Sequence, residues 1–211
     1  MIPKILHYCN FGGGQNNEIH QKCRASWQRI LPDYQWREWN ESNSPLYVDY
    51  CQAALDQELW SKLSNYVRLW ALYAEGGLYL DTDVEVLRPF DHLLENRCFL
   101  GFQSRSEIPG WINNAVLGAE PSHPFLARCL ALTLERYRQQ GEFLLSPWVT
   151  TLVLKADGLR RYGMQRVGDV QVYPIEYFYP HSWLESFTPD LVTSETVSVH
   201  HWNHSWADTA N

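Results

Sequence analysis

The sequence predicts a single α/β domain whose central sheet is mainly parallel and covered by helices on both faces. Three observations carry that reading. Short apolar runs alternate with longer amphipathic runs along the chain, and no internal repeat, low-complexity tract or linker divides residues 1–211. The composition, 45% hydrophobic and 19% charged, is that of one domain with an ample core.

The elements follow in order. Residues 4–8 read as the first strand, left by a turn at Gly12-Gly13-Gly14. That turn either lets a nucleotide approach the backbone or is a plain flexible loop, because it has neither G-x-G-x-x-G nor G-x-x-x-x-G-K-[ST] spacing. A helix is expected over 18–30 and a second strand over 34–39, where Tyr-Gln-Trp-Arg-Glu-Trp alternates. Residues 45–63 look helical in pieces. A stronger helix spans 61–75, with Leu63, Tyr66, Val67, Trp70 and Tyr73 or Ala74 at helical spacing; Ser61 or Ser64 can cap it and Gly76 can end it. Further strands are expected at 78–80, 99–103, 115–119 and 170–174. Helices are expected at 124–139 and 146–156, and an aromatic loop at 177–180. Large aromatics are most often core, and Trp111 and Trp148 are read so.

The most informative stretch is 76–85, Gly-Gly-Leu-Tyr-Leu-Asp-Thr-Asp-Val-Glu. In an extended strand alternate residues share a face, so Asp81 and Asp83 are expected to point the same way. Two carboxylates that close repel unless a cation or a shared proton lies between them. Hard divalent metals such as magnesium and manganese take oxygen ligands of this kind and let substrate phosphates complete the shell. In open α/β sheets ligands sit beyond the carboxyl ends of the strands, where Asn10, Asp81, Asp83 and the glycine turn would fall. Arg68, two helical turns before the Gly76 break, can reach a bound phosphate or hydroxyl, or else forms an exposed ion pair. Asn113, Asn114 and Thr150 are candidates for binding hydroxyls of a second substrate.

Ser64-Asn65-Tyr66-x-Arg68 followed by Leu72-Tyr73-x-x-Gly76-Gly77-Leu78-Tyr79-Leu80-Asp81-Thr82-Asp83-Val84-Glu85 resembles the DXD-motif sugar transferases of glycosyltransferase family 32, which includes capsular polysaccharide enzymes and fungal mannosyltransferases. The opening block from Ile2 to Gly13, the pair Ser26-Trp27 with Leu31-Pro32-Asp33-Tyr34, and His200-His201-Trp202-Asn203-His204-Ser205-Trp206 near the end resemble the family's other blocks in its order. Glucosylating bacterial toxins share this layout more distantly.

The resemblance implies a GT-A type nucleotide-sugar-binding sandwich over 1–211, with 200–211 a C-terminal lid carrying metal and diphosphate contacts. It implies transfer, with retention, from a nucleoside diphosphate sugar, a UDP-sugar first, to a hydroxyl of a carbohydrate, lipid-linked or protein acceptor in polysaccharide or glycoconjugate synthesis. Mn2+ or Mg2+ would be the cofactor. Asp81, Asp83 and Arg68 would be catalytic. Donor contacts would fall to His7, Tyr8, Asn10, Asn65, Arg68, Tyr79, Asp81 and Trp206. Asp83 and Asp81 would hold the metal, Asp81 directly or by way of the ribose, with a third ligand from the tail: His201 first, then Asn203 and Ser205. Asn65 stands where the family has an acid, and Asn10 where its opening strand often ends in Trp, so Tyr8 or Phe11 would have to supply the base-stacking face. No nucleophile with a neighbouring base is visible; Glu85 and Glu120 have no support for that role.

Two rival readings remain. A haloacid-dehalogenase-like phosphohydrolase would use Asp81 as nucleophile, but Glu85 stands where that motif has Thr or Val. A Trp-rich carbohydrate-binding protein without catalysis would not need both aspartates. The net charge of -7 opposes nucleic-acid binding. No run is apolar enough for a membrane span or signal peptide, so the expected location is cytoplasmic, or peripheral at the inner membrane face through the acceptor. Cys9, Cys23, Cys51, Cys98 and Cys129 are widely spaced and read as reduced core thiols.

Overall fold

The computed structural model describes residues 1–13, 17–105 and 111–203; Gly14, His204, Ser205 and Trp206 lie outside the described residues. The elements are β1 (Ile5–Cys9), α1 (Glu18–Ile30), β2 (Gln35–Trp39), α2 (Asp49–Asp56), α3 (Trp60–Glu75), β3 (Gly77–Leu80), β4 (Val84–Val86), β5 (Cys98–Phe102), β6 (Ile112–Ala119), α4 (Pro124–Gln140), α5 (Ser146–Ala156), β7 (Gln165–Val167), β8 (Val170–Tyr173), α6 (Ile175–Phe178) and β9 (Ser198–His200).

Seven strands form one sheet in the order β2-β1-β3-β6-β5-β8-β7. Parallel ladders join β1 to β2, β1 to β3 and β5 to β8, so β1, β2, β3, β5 and β8 run one way; β6 and β7 run against them. The sheet is mostly parallel, as expected, with a reversed strand near its centre. The sequence reading missed β4 and β9, which pair antiparallel as a separate ribbon with Val84 opposite His200.

Side chains alternate between two cores. On one face, Tyr79, Leu100, Leu117 and Val172 pack with Leu63, Val67, Phe125, Leu126, Val149 and Leu154 from α3, α4 and α5. On the other, Leu6, Tyr8, Leu78, Leu80 and Val116 pack with Cys23 and Trp27 of α1, Val84 and Val86 of the ribbon, and Phe178. Trp27 is fully buried and donates its indole N–H to the Val84 carbonyl (2.7 Å), tying α1 to the ribbon. Truncating such a side chain to Ala costs about 3–5 kcal/mol.

The α3-to-β3 corner explains the double glycine. Gly76 ends α3 at φ +66° with its N–H on Leu72 O, and a Cβ there would lie 2.6 Å from Pro121. Gly77 has φ +116°, and a Cβ would lie 2.6 Å from Ile5 O of the neighbouring strand. This tight corner lets β3 start flush against β1.

Three local expectations change. No side chain caps α3: its N-cap is Leu59, and the Ser64 hydroxyl bonds back to Trp60 O instead. The aromatic segment at 177–180 is partly the short helix α6, entered from Pro174, whose fixed φ suits the position before a first turn. Trp111 is buried, but Trp148 is 41% exposed, because α5 turns that side chain away from the sheet. The five cysteines are buried free thiols, as expected.

Candidate functional site

Asp81 leaves the sheet directly after β3, its N–H on Ala115 O of β6 (2.9 Å), and Val84 N–H closes a turn onto Asp81 O (3.0 Å). Asp81 and Asp83 therefore share no strand. A turn brings them together rather than a pleat, and it sits where the main sheet hands over to the ribbon. One ligand atom each from Asp81, Asp83 and His200 lie within 4.8 Å of one another.

Each acid has its own partner. Arg68, buried on α3, makes an ion pair with Asp81 (Nη2 to Oδ1 3.0 Å, Nη1 to Oδ2 3.2 Å), and the Tyr79 hydroxyl donates to Asp81 Oδ1 (2.8 Å). The guanidinium also lies 4.7 Å from the Tyr79 ring centroid. Burial alone would lower the Arg68 pKa, but the Asp81 charge and hydrogen bond, with Tyr79 and Cys9, together outweigh it and hold the guanidinium charged. Arg68 Nη1 also donates to Asn114 O (3.2 Å) and Oδ1 (3.1 Å), and the Asn114 amide exchanges hydrogen bonds with the Ser146 hydroxyl at the start of α5 (2.5 and 2.7 Å). The chain Ser146–Asn114–Arg68–Asp81 is thus a buried polar network running from α5 to the turn.

Asp83 is held from the C-terminal side. His200 Nε2 lies 3.1 Å from Asp83 Oδ1, Asn203 N–H donates to Oδ2 (2.9 Å), and His201 N–H donates to the Asp83 carbonyl (3.0 Å). Burial pushes the Asp83 carboxyl up, yet the His200 charge and these hydrogen bonds together hold it well below the usual carboxylate range. Burial likewise pulls His200 down, and Asp83 more than reverses this, so the imidazole sits above its ordinary value. His200 Nδ1 is buried without a partner. Two carboxylates and an imidazole with an unspent nitrogen fit a hard or borderline divalent cation such as Mn2+ or Mg2+.

The remaining expected residues divide clearly. His201, ranked first in the tail, is turned away from Asp83: its Nε2 lies 2.9 Å from Glu85 Oε2, which also pairs with Lys22 (2.7 Å). Alternation along β9 explains this, since successive side chains take opposite faces and His200 is the one on the Asp83 side. Asn203 reaches Asp83 through its backbone, with its side-chain nitrogen 3.4 Å from His20 Nε2. Ser205 and Trp206 lie outside the described residues, as does all of the lid beyond 203.

His7 is a core residue and not an open donor contact. Its Nε2 bonds Gly76 O (2.8 Å) and its Nδ1 accepts from the Trp39 indole (3.0 Å), which uses both ring nitrogens. Tyr8 is also buried, donating to Glu38 Oε2 (2.7 Å) and accepting from Arg24 (2.9 Å). Asn10 bonds Glu38 Oε1 (3.1 Å), so Tyr8 and Asn10 are tied together through a Glu on β2 that the sequence reading did not single out. Asn65 is half-buried on α3, less than one turn before Arg68. Asn113, Asn114 and Thr150 are buried; Thr150 donates to Ile112 O (2.8 Å), and Asn113 to Gln103 (2.7 Å), in place of any acceptor. His200 stood among the tail's candidate ligands without a rank, and only the pairing of β9 with β4 shows that it is the imidazole beside Asp83. Ser146 carried no local signal.

Residues 17–100 match the model of the glycosyltransferase sugar-binding region containing the DXD motif. Among curated proteins, the chain is 31% identical over 159 residues to inositol phosphoceramide mannosyltransferase 3 of Schizosaccharomyces pombe, covering 72% of this chain and 41% of that protein. It is 33% identical over 181 residues to lactosylceramide 4-alpha-galactosyltransferase of Mus musculus, covering 76% and 46%. The chain spans less than half the length of these relatives. In fold it resembles the PaToxG glycosyltransferase, at TM-score 0.60 and 16% identity over 74% of this chain and 69% of that one. It also resembles the galactosyltransferase LgtC, at TM-score 0.52 and 13% identity over 94% and 87%. The architecture is the GT-A arrangement.

Proposed function

We propose, from the premise that this chain belongs to the glycosyltransferase family defined by the DXD-containing sugar-binding region, that it moves a sugar from a nucleoside diphosphate sugar to an acceptor hydroxyl. The observation that carries the proposal is the convergence of Asp81, Asp83 and His200 where the main sheet ends. Asp83 and His200 would hold a divalent cation, with Asp81 as the third ligand. When bound, Mn2+ or Mg2+ supplies Lewis-acid neutralisation of charge on the leaving diphosphate, worth several kcal/mol.

The chain's own residues do the rest. Arg68 and Tyr79 fix both oxygens of Asp81 and leave its outward edge to meet a ligand. The Asn203 and His201 N–H groups lock Asp83 against rotation. Glu85 is engaged by His201 and Lys22 and is not free to act as a base, which supports retention with the diphosphate oxygen taking the acceptor proton. A UDP-sugar is the first donor to try. The relatives are named for transfer to ceramide lipids, which favours a carbohydrate or lipid-linked acceptor.

The test is turnover of a panel of nucleotide sugars with manganese and with chelator, by wild type and by Asp83→Ala. Loss of one interaction with developing charge costs on the order of 10² to 10³ in rate, so the variant should be silent, with circular dichroism checking that it is folded. Unchanged turnover in Asp83→Ala would remove the basis for the reading; manganese-dependent ligand binding without turnover would favour a noncatalytic binder.

A further inference from the structure

Large exposed apolar side chains are scattered over the described surface with one exception. Leu145, Trp148 and Leu152 lie at i, i+3 and i+7 along the cap and outer face of α5 and are 50%, 41% and 38% exposed. The inner face of the same helix carries Val149, Val153 and Leu154 into the core. Leu152 continues into a groove of about 390 Å³ between α4 and α5, which Arg136 also lines.

Cations border this row. Arg136 donates to the neutral amide of Gln140 (3.5 Å), and Arg160 to the backbone carbonyls of Lys155 (2.6 Å) and Leu159 (3.0 Å), so these bonds leave both guanidinium charges uncompensated. Lys155 reaches over the Trp111 ring at 5.5 Å. Glu135 also lines the groove, and Arg128 there pairs with Asp157 at the end of α5. Arg136 and Arg160 are the cations of this edge that make no ion pair among the described residues, on a chain whose net charge is -7.

We propose that this face of α5 docks the protein on an anionic bilayer, with Trp148 and Leu152 in the headgroup boundary and Arg136 and Arg160 against lipid phosphates. An apolar stripe containing Trp and flanked by cations is the pattern of helices that lie in the interface plane. The acidic remainder of the molecule is repelled by the same surface, so one orientation is selected. In that orientation the start of α5, where Ser146 bonds Asn114, brings the catalytic edge of the sheet to the membrane. Docking goes beyond the sugar-transfer reading and does not depend on it; only the choice of a membrane-borne acceptor does.

The test is cosedimentation of the purified chain with phosphatidylcholine vesicles, with and without phosphatidylserine, across a salt series, beside donor hydrolysis in solution without lipid. Binding is expected on phosphatidylserine vesicles and is lost at high salt. Trp148→Glu with Leu152→Glu weakens it by about tenfold or more, and Arg136→Glu with Arg160→Glu flattens the salt dependence. All of these positions lie away from the three converging side chains, so solution hydrolysis and melting temperature stay put. Failure of wild type to sediment with phosphatidylserine vesicles overturns the proposal, as does equal sedimentation of the Trp148 and Leu152 variant. A wild-type dimer that Trp148→Glu dissolves would assign the face to a second copy and overturn it too. Intact sedimentation without hydrolysis would count against the reaction and leave docking standing.

Discussion

The two aspartates of the motif stand one residue apart in sequence and are held by opposite ends of the molecule. Asp81 is anchored inward by Arg68, Tyr79, Asn114 and Ser146, all rooted in α3, the sheet or α5. Asp83 is anchored outward by His200 and the backbone that follows it. One acid is thus preset by the core, and the other depends on a three-residue ribbon strand. Each carboxylate has its own partner, Arg68 for Asp81 and His200 for Asp83, which eases the repulsion that so close a pair would otherwise feel. The difference implies that damage to the first half should cost stability and turnover together, while damage to the second should cost turnover and cation affinity with the fold intact.

The largest effect should come from Arg68→Ala. Its side chain is 7% exposed, and removing it leaves Asp81 and the Asn114 oxygen facing a void. Breaking such a pair from one side costs about 3–5 kcal/mol, so the melting temperature should fall by many degrees and turnover should vanish; a variant with wild-type unfolding would show that the inner anchor is not structural. An intermediate effect separates two neighbours in the tail. His200→Ala should raise the manganese concentration needed for half-maximal turnover by roughly 10- to 100-fold, whereas His201→Ala, which loses the Glu85 contact and the Phe187 edge, both away from Asp83, should change it by less than about threefold. If the two variants behave alike, the outer half is not organised by the register of β9.

The smallest effect lies beneath both halves, at His7. Burial lowers its pKa below the ordinary imidazole value, so the folded ring stays neutral where the unfolded chain takes up a proton. Its contribution is fully present above about pH 6.5 and declines as the pH falls through that value toward the folded pKa. His7→Gln should flatten this acid limb of melting temperature against pH; an unaltered slope would place the acid sensitivity elsewhere.

Much of this was legible in the chain. The helices at Glu18–Ile30 and Ser146–Ala156 and the double-glycine corner were readable because their signals are local: periodicity, caps, and a conformation open to glycine. The convergence of Asp81 and Asp83 was also foreseen, though for the wrong geometric reason, since a turn and not a pleat produces it. What escaped is non-local. β4 and β9 are three residues each, too short to show a period, and find each other only through tertiary pairing. Without that pairing the face taken by His200 could not be told from the face taken by His201. His7 and Asn114 misled for a related reason: a polar residue on a strand near a site looks like a ligand contact until its buried partners are known.

The 117-residue separation between Asp83 and His200 has a further consequence, for the order of assembly. The other elements among the described residues all precede β9 in the chain, so the sheet and the inner anchor can form while the outer anchor is still unmade. Closing so distant a contact is slow relative to local folding, and the complete cation cradle should therefore appear only as a late step in the chain's maturation.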